Sequence, residues 1–185
     1  MIHTTYIAFL RGINVGGHSV KMDLLRGLFG ELGFDHVRSY IQTGNVFFES
    51  SEQDRPALRA KIERHLRTAL GYEVATCVRS VEDVEQLLTL DPFKGLPVTP
   101  EIRLGVTFLA EPVSVTIPVP YLTPDGAFEL IGMTPTELFV VWYLQDGRPG
   151  NSYSLLEKQV AVAATTRFWH TTVKILSAAK ETRKG

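Results

Sequence analysis

Apolar residues in the first eighty positions alternate between strand-like and helix-like spacing. A continuous apolar run at residues 6–10 predicts a strand buried on both faces. Residues 24–32 then carry leucine and phenylalanine at helical spacing, and Gly33 is typical of the position that follows a helix. Residues 37–41 and 46–49 predict two more strands.

The next segment completes a familiar order of elements. Residues 43–45 (TGN) predict a tight hairpin turn, because Gly and Asn tolerate positive φ. Ser51, Asp54 and Pro56 have the spacing of a helix start, and an apolar stripe follows them. Residues 72–78 alternate as a fourth strand. We therefore predict an α+β protein whose N-terminal half has the βαββαβ order of the ferredoxin-like arrangement.

That arrangement makes a spatial prediction. The first two strands run in the same direction, and the third lies between them. The glycine-rich loop after the first strand and the turn after the second should then leave the same edge of the sheet. Since neighbouring strands lie about 5 Å apart, we expect the two turns to be within side-chain reach.

The second half is less regular, and we place the domain boundary near residue 80. Residues 1–79 form the predicted ferredoxin-like domain, and residues 80–185 a smaller α+β subdomain. Ser80 and Asp83 predict the start of a short helix that ends near residue 90. The remaining predicted elements are strands at 103–109, 128–131 and 138–143, a loop at 146–151, and helices at about 152–160 and 167–181.

Composition adds few constraints. The chain has 185 residues, of which 44% are apolar, and its net charge of −1 gives no overall attraction to nucleic acid or anionic membranes. The single cysteine, Cys77, excludes an internal disulfide and fits a reducing compartment. Apolar runs fall short of the about 18 residues of a membrane span. We therefore expect a cytoplasmic protein without a membrane segment.

The stretch RGINVGGHS at residues 11–19 carries the first candidate chemistry. It matches the Walker pattern at Gly12, Gly17 and Ser19, but His18 replaces the lysine that contacts the β- and γ-phosphates. A P-loop also belongs to a parallel sheet, and here the third strand returns antiparallel. The pattern therefore argues against a nucleotide-hydrolysing P-loop.

Two interpretations of this loop remain open. Clustered backbone N–H groups ahead of a helix can form an anion-binding nest, and Arg11 and Lys21 flank the loop with positive charge. Alternatively, Gly12, Gly16 and Gly17 only let the chain turn into a close-packed helix.

Residues 165–174 (TTRFWHTTVK) carry the second candidate. Thr165 or Thr166 is predicted as the N-cap of the last helix. One face, with Phe168, Trp169, Thr172, Val173 and Leu176, should be buried, and the other carries Arg167, His170, Thr171 and Lys174. Positively charged side chains at a helix N-terminus favour the binding of an anion. A polar helix face exposed to solvent also explains the same spacing.

Other chemistries find little support in the sequence. The five histidines lack metal-binding spacing, so no metal site is predicted, and no G-x-S-x-G motif is present. Cys77 is interpreted as a packed strand residue. Residues 44–48 (GNVFF), with Phe9 on the first strand, weakly resemble an RNA-stacking sheet, but the basic residue of that signature is missing.

Three stretches together resemble one family. RGINVGG at residues 11–17, SYIQTGNVFF at 39–48 and ATTRFWHT at 164–171 are similar to a mainly bacterial domain-of-unknown-function family, number 1697. The resemblance extends over nearly the whole chain and implies a two-part α+β protein, but no activity, substrate or cofactor. The chain departs from the family pattern at His18, Phe168 and His170.

We arrive at one leading hypothesis. The two turns and the start of the last helix converge in a cleft between the halves, which binds a small molecule bearing phosphate or carboxylate. The alternatives are a protein-protein interaction module that uses the sheet or an edge strand, and nucleic-acid binding through the sheet. The sequence identifies no catalytic residue, reaction, cofactor or oligomeric state. The predicted ligand-binding residues are Arg11, Asn14, Gly16, Gly17, Gln42, Gly44, Asn45, Thr166 and Arg167.

Overall fold

The computed structural model describes residues 3–14, 16–115, 117–148 and 153–181, with only the backbone described at 153–156. The chain divides into two compact units. The first comprises Met1–Gln86 and Lys174–Gly185, and the second comprises Leu87–Val173. Among the described residues, 174–181 thus belong with the first unit. The predicted domain boundary near residue 80 stays a prediction.

The described residues form nine strands and five helices. In chain order these are β1 (Thr4–Leu10), α1 (Met22–Glu31), β2 (Asp35–Tyr40), β3 (Asn45–Ser50), α2 (Arg55–Leu70), β4 (Thr76–Ser80), α3 (Val81–Leu90), β5 (Ile102–Leu109), β6 (Tyr121–Leu122), β7 (Phe128–Met133), β8 (Glu137–Tyr143), α4 (Tyr153–Val160), β9 (Ala164–Phe168) and α5 (Trp169–Lys180). Mixed helix and sheet in this proportion confirm the α+β class.

The first unit contains a four-stranded sheet with the order β2-β3-β1-β4. Each neighbouring pair is antiparallel, so β1 and β2 run the same way with β3 between them, as predicted. The predicted fourth strand was too long, because regular pairing begins only at Thr76. The assignment to the ferredoxin-like class stays a prediction.

Aromatic packing forms the core of the first unit. Phe48 on β3 stacks on Phe34 with ring centroids 4.3 Å apart, and Phe29 of α1 lies 5.7 Å from Phe48. Helix α2 adds buried Leu58, Ile62 and Leu66 to the same cluster. The buried apolar area of such a cluster is the main favourable contribution to folding.

The helix ends follow the predicted chemistry. The Asp54 carboxylate accepts from the N–H of Ala57 at the start of α2, with Pro56 in the first turn. Ser80 and Asp83 form a reciprocal capping box at α3, because each side chain accepts from the other residue's N–H. Gly33 follows the end of α1 with φ +77°.

The second unit contains a five-stranded sheet with the order β6-β7-β8-β5-β9. The predicted strands at 103–109, 128–131 and 138–143 are confirmed as β5, β7 and β8. Strand β6, only two residues long, was not predicted. Within the described ranges, no helix has the length and apolar character needed to span a membrane.

The prediction for residues 165–168 was wrong. They form strand β9, which pairs antiparallel with β5, and helix α5 begins only at Trp169. Neither Thr165 nor Thr166 is therefore an N-cap, and Arg167 does not lie on the predicted helix face. Threonine is β-branched and favours strands as well as helix caps. Here pairing with the edge of β5 stabilises the strand conformation. Phe168 and Val173 are also exposed, at 39% and 40%, and not buried as predicted.

Candidate functional site

The glycine-rich loop of the first unit is held in shape by Asn14. Its side-chain oxygen accepts from the N–H of Val20 at 2.6 Å, and its amide nitrogen donates to the carbonyl of Gln42 at 2.9 Å. Asn14 itself has φ +59°, which Asn adopts more readily than most residues. One side chain therefore closes the loop and joins it to the hairpin turn.

Gly16 and Gly17 form the exposed part of this loop. Both have positive φ, +61° and +90°, and both lie in open space. In the part of the chain that the structure describes, the backbone N–H groups of residues 16–19 have no hydrogen-bond acceptor. The loop therefore presents donors to solvent; its middle residue, Val15, lies outside the described residues.

Helix α1 begins directly after the loop. Its N-cap residue, Lys21, makes no side-chain capping bond, so the first turn keeps N–H groups without an intrahelical partner. Lys21 and Arg11 are exposed on either side of the loop. The positive end of the helix dipole, the unpaired N–H donors and the charges of Arg11 and Lys21 therefore all favour a negatively charged ligand here.

The hairpin turn lies beside the loop, which confirms the predicted proximity. The N–H of Leu10 donates to the carbonyl of Gly44 at 2.8 Å. A Cβ at Gly44 would lie 3.0 Å from Cβ of Leu10 and 3.2 Å from Cβ of Ile13. Glycine is therefore required here both for its φ of +76° and for the close approach of loop and turn.

The turn differs from the predicted one in its length and in the role of Asn45. Tyr40 pairs with Asn45, so residues 41–44 form a four-residue connection, in which Ile41 and Gly44 have positive φ. Asn45 begins β3, is fully buried, and donates to the carbonyl of Tyr40 and the hydroxyl of Thr43. The buried Asn45 side chain therefore stabilises the turn through its hydrogen bonds, whereas the Gln42 side chain is exposed.

His18 makes an aromatic contact that its sequence context does not predict. Its ring stacks on Tyr72 with centroids 3.8 Å apart and an interplanar angle of 22°. Tyr72 follows α2, and its ring also packs against the main core cluster of the first unit. The stack fixes the end of the glycine loop to the core. An aromatic pair separated by 54 positions has no periodicity from which it could be predicted.

Thr166 and Arg167 lie in the second unit, on strand β9. The hydroxyls of Thr166 and Thr107 are 2.8 Å apart. Arg167 is 9% exposed, and its Nη1 donates to the hydroxyl of Thr165 and the carbonyl of Thr166, both at 2.9 Å. The guanidinium is therefore oriented by its own strand. Trp169, predicted on the buried face, packs edge-on against Phe93 at 5.1 Å.

The described residues also bear on metal binding, base stacking and cysteine chemistry. No group of three or more metal-ligating side chains occurs within the described ranges. Phe9, Phe47 and Phe48 are 1% exposed or less, so these rings do not form an exposed stacking surface for bases. Cys77 is buried on β4, in agreement with its interpretation as a packed strand residue.

Comparison with known proteins places the chain in a family. A search of curated proteins found no match. A conserved bacterial protein, SP0830 from Streptococcus pneumoniae, has a similar structure with a TM-score of 0.72 and 26% sequence identity. The match covers 97% of this chain and all of that one. The model of a family described as protein of unknown function (DUF1697) matches residues 3–121. The chain therefore belongs to the DUF1697 family.

Proposed function

We propose that the glycine loop of the first unit binds the phosphate or carboxylate group of a small molecule. The observation that carries this proposal is the run of backbone N–H groups at residues 16–19, which is exposed and without acceptors in the described structure. Such donors in a positive-φ loop form the concave arrangement that binds anions. An anion there would satisfy donors that otherwise depend on water.

Charge supports the same assignment. Arg11 precedes the loop and Lys21 follows it, and both side chains are exposed. A guanidinium can bind phosphate or carboxylate through two parallel N–H donors, and such charge-assisted bonds are about twice as strong as neutral ones. Asp23 in the first turn of α1 carries the opposite charge, but it is paired with Arg26. Arg11 and Lys21 therefore place two positive charges beside the loop.

The hairpin turn would contact the rest of the ligand. Gln42 is exposed at the tip of this turn, and its carbonyl is already held by Asn14. Its side-chain amide offers both a donor and an acceptor, which suits a polar group next to the anion. The predicted contribution of Thr166 and Arg167 stays a prediction, as does their sharing of one site with Arg11.

The proposal concerns binding and not a reaction. His18 is the titratable ring beside the loop, but it is stacked on Tyr72, and the described residues place no carboxylate against it. General acid-base catalysis requires a partner within hydrogen-bond reach of the reacting proton. The site as described therefore supports recognition of an anion.

A thermal-shift screen with phosphate, sulfate, sugar phosphates and nucleotides tests the proposal. A ligand at ten times its Kd stabilises the folded state by about 1.4 kcal/mol. For a chain of this size that raises Tm by about 3–5 °C. Arg11→Ala should lose most of the shift, and Arg64→Ala is the matched control because Arg64 is an exposed arginine on α2.

Two results would count against anion binding at this loop. One is the absence of stabilisation by every anion tested. The other is an equal stabilisation of wild type and Arg11→Ala, which would place the bound anion elsewhere. Arg167→Ala, measured in parallel, reports separately on the second unit.

A further inference from the structure

Strand β2 forms an edge of the first unit's sheet and leaves this edge open. The other edge strand of that sheet, β4, is buried at all five residues, and β9 at the edge of the second sheet is buried at three of five. Strand β6 has only two residues. None of the six residues of β2 is buried. Among the described edge strands, β2 is therefore the one long enough and exposed enough to pair with another strand.

A bulge restricts the available edge to the second half of β2. Asp35 pairs with Glu49 and Arg38 with Phe47, so two residues of β2 oppose one of β3. His36, within the bulge, has φ +50°. Bulges bend an edge strand and prevent uncontrolled pairing. Residues 38–40 beyond it pair regularly with β3.

A groove of about 620 Å³ runs along this regular segment. Its first wall consists of four consecutive residues of β2, numbers 37–40. Successive side chains of a strand point to opposite faces of the sheet. Four consecutive residues can therefore line the same groove only if the groove follows the edge of the strand. The second wall is one face of α5, with Lys174, Ser177 and Ala178 at helical spacing, and it continues with Glu181 directly after the helix.

Arg38 holds the two walls together. Its Nη1 and Nη2 donate to the carbonyls of Ala178 and Ala179 near the end of α5, both at 2.9 Å. The same guanidinium lies 5.3 Å above the Phe47 ring. The groove between strand and helix is thus preformed, which reduces the entropy lost on binding.

The lining of the groove is positively charged. Besides Arg26, whose charge Asp23 offsets, it contains Arg38 and Lys174 against a single carboxylate, Glu181. Arg26 also donates to the hydroxyl of Ser39 at 2.6 Å and pairs with Asp23. Lys174 is exposed and has no ion-pair partner within the part of the chain that is described. The charge favours an acidic occupant.

We propose that this groove binds an extended acidic segment of a partner protein, which adds as a strand to the free edge of β2. Backbone hydrogen bonds to the alternate residues of 37–40 whose N–H and C=O groups face away from β3 give the affinity, and Lys174 selects acidic side chains. The strand-beside-helix geometry is one in which edge pairing and side-chain selection operate together. This surface is separate from the glycine loop and independent of its proposed function.

The test is selection of heptapeptides from a random display library on the full chain, followed by binding of the enriched peptide made synthetically. We expect acidic residues at alternate positions, and NMR shift changes at the amides of residues 37–40. Methylation of alternate peptide nitrogens should weaken binding at least tenfold, since it removes the backbone donors. Lys174→Glu should weaken binding about threefold to tenfold, whereas Lys158→Glu, an exposed lysine on α4, should not.

Several outcomes would overturn the proposal. These are failure to enrich any peptide over the Lys174→Glu variant, unchanged affinity of the N-methylated peptide, and shift changes outside the groove. A chain that dimerises in sedimentation through β2 would also overturn it, because a second copy would then be the occupant. Circular dichroism of Lys174→Glu separates lost binding from lost folding.

Discussion

The amide nitrogen of Asn14 donates to the carbonyl of Gln42 at 2.9 Å, and this bond joins the glycine loop to the hairpin turn. The side-chain oxygen of Asn14 is used as well, by the N–H of Val20. Both halves of one amide are therefore committed to the shape of the loop. The proposed anion site depends on this side chain, although Asn14 itself need not touch the anion.

Asn14→Asp is the sharpest test of that relationship. It keeps an acceptor for Val20 but loses the donor to Gln42. Because one hydrogen bond contributes about 1 kcal/mol, we expect a loss of about that size in the free energy of unfolding. Asn14→Ala should cost about 2 kcal/mol, as both bonds are lost at a positive φ. Urea denaturation measures both.

Hydrogen exchange provides the control for this pair. The amides of the 41–44 turn should exchange faster in Asn14→Asp, while those of α2 should not change beyond the global loss of stability. Unchanged exchange in the turn would show that loop and turn are not coupled through Asn14.

Gly44→Ala tests the close approach of the turn to the loop. An added Cβ would lie 3.0 Å from Cβ of Leu10, and the alanine would have to adopt a φ of +76°. We expect a loss of about 2–4 kcal/mol, which combines the left-handed backbone with overpacking. Gly71→Ala is a matched control, because Gly71 has φ +80° but open space around it. It should cost only about 1–2 kcal/mol. Equal losses in denaturation would contradict the packing argument.

Gly105→Ala tests the packing of the second unit. A Cβ there would lie 2.4 Å from the Cζ3 atom of Trp142, and 3.3 Å from the carbonyl of Arg167. The buried indole must move, so we expect a loss of about 3 kcal/mol and a change in tryptophan fluorescence. Gly132→Ala, with its nearest atom at 3.4 Å, should be far milder. A Gly105→Ala variant as stable as wild type would contradict this packing.

The environment of Tyr143 predicts that the free energy of unfolding depends on pH in the alkaline range. Its hydroxyl donates to Glu129 at 2.5 Å, and this bond, together with burial and the carboxylate charge, raises the pKa of Tyr143 to about 12. A phenol whose pKa is higher in the folded state contributes stability below its unfolded pKa, near 10, and loses it as the pH rises toward 12. The stability advantage of wild type over Tyr143→Phe should therefore fall across that interval.

Absorbance at 295 nm provides the direct measurement for Tyr143. The chain has six tyrosines. The increase in absorbance near pH 12 that reports ionisation of Tyr143 should be missing in Tyr143→Phe. Denaturation of both variants at pH 8, 10 and 11.5 tests the linkage. A constant stability difference over this range would mean that Glu129 and Tyr143 are not coupled.

Local patterns were sufficient to predict most of the first unit. The Asp54 cap, the turn at Gly33 and the strand spacing all specify the same structure, so the prediction needed no tertiary information. The proximity of Asn14 to Gln42 followed from topology, because two strands in the same direction end at one edge. By contrast, the exposure of Leu24 on α1, at 53%, depends on packing that helical spacing does not show.

The failures have a common physical cause. Thr165 and Thr166 are suitable both for a cap and for a strand, and pairing with β5 selected the strand. The burial of Asn45 and the stacking of His18 on Tyr72 likewise depend on residues distant in sequence. Where the local preference is ambiguous, tertiary contacts determine the structure.

An NMR titration with inorganic phosphate tests the proposed anion site most directly. In ¹⁵N-labelled wild type, the amides of Gly16 and Gly17 should shift and saturate, and those of His18 and Ser19 should follow the same curve. In Arg11→Ala the apparent affinity should fall about tenfold, and Arg64→Ala should behave as wild type. Shifts that do not saturate, or that leave Gly16 and Gly17 unmoved, would contradict the account.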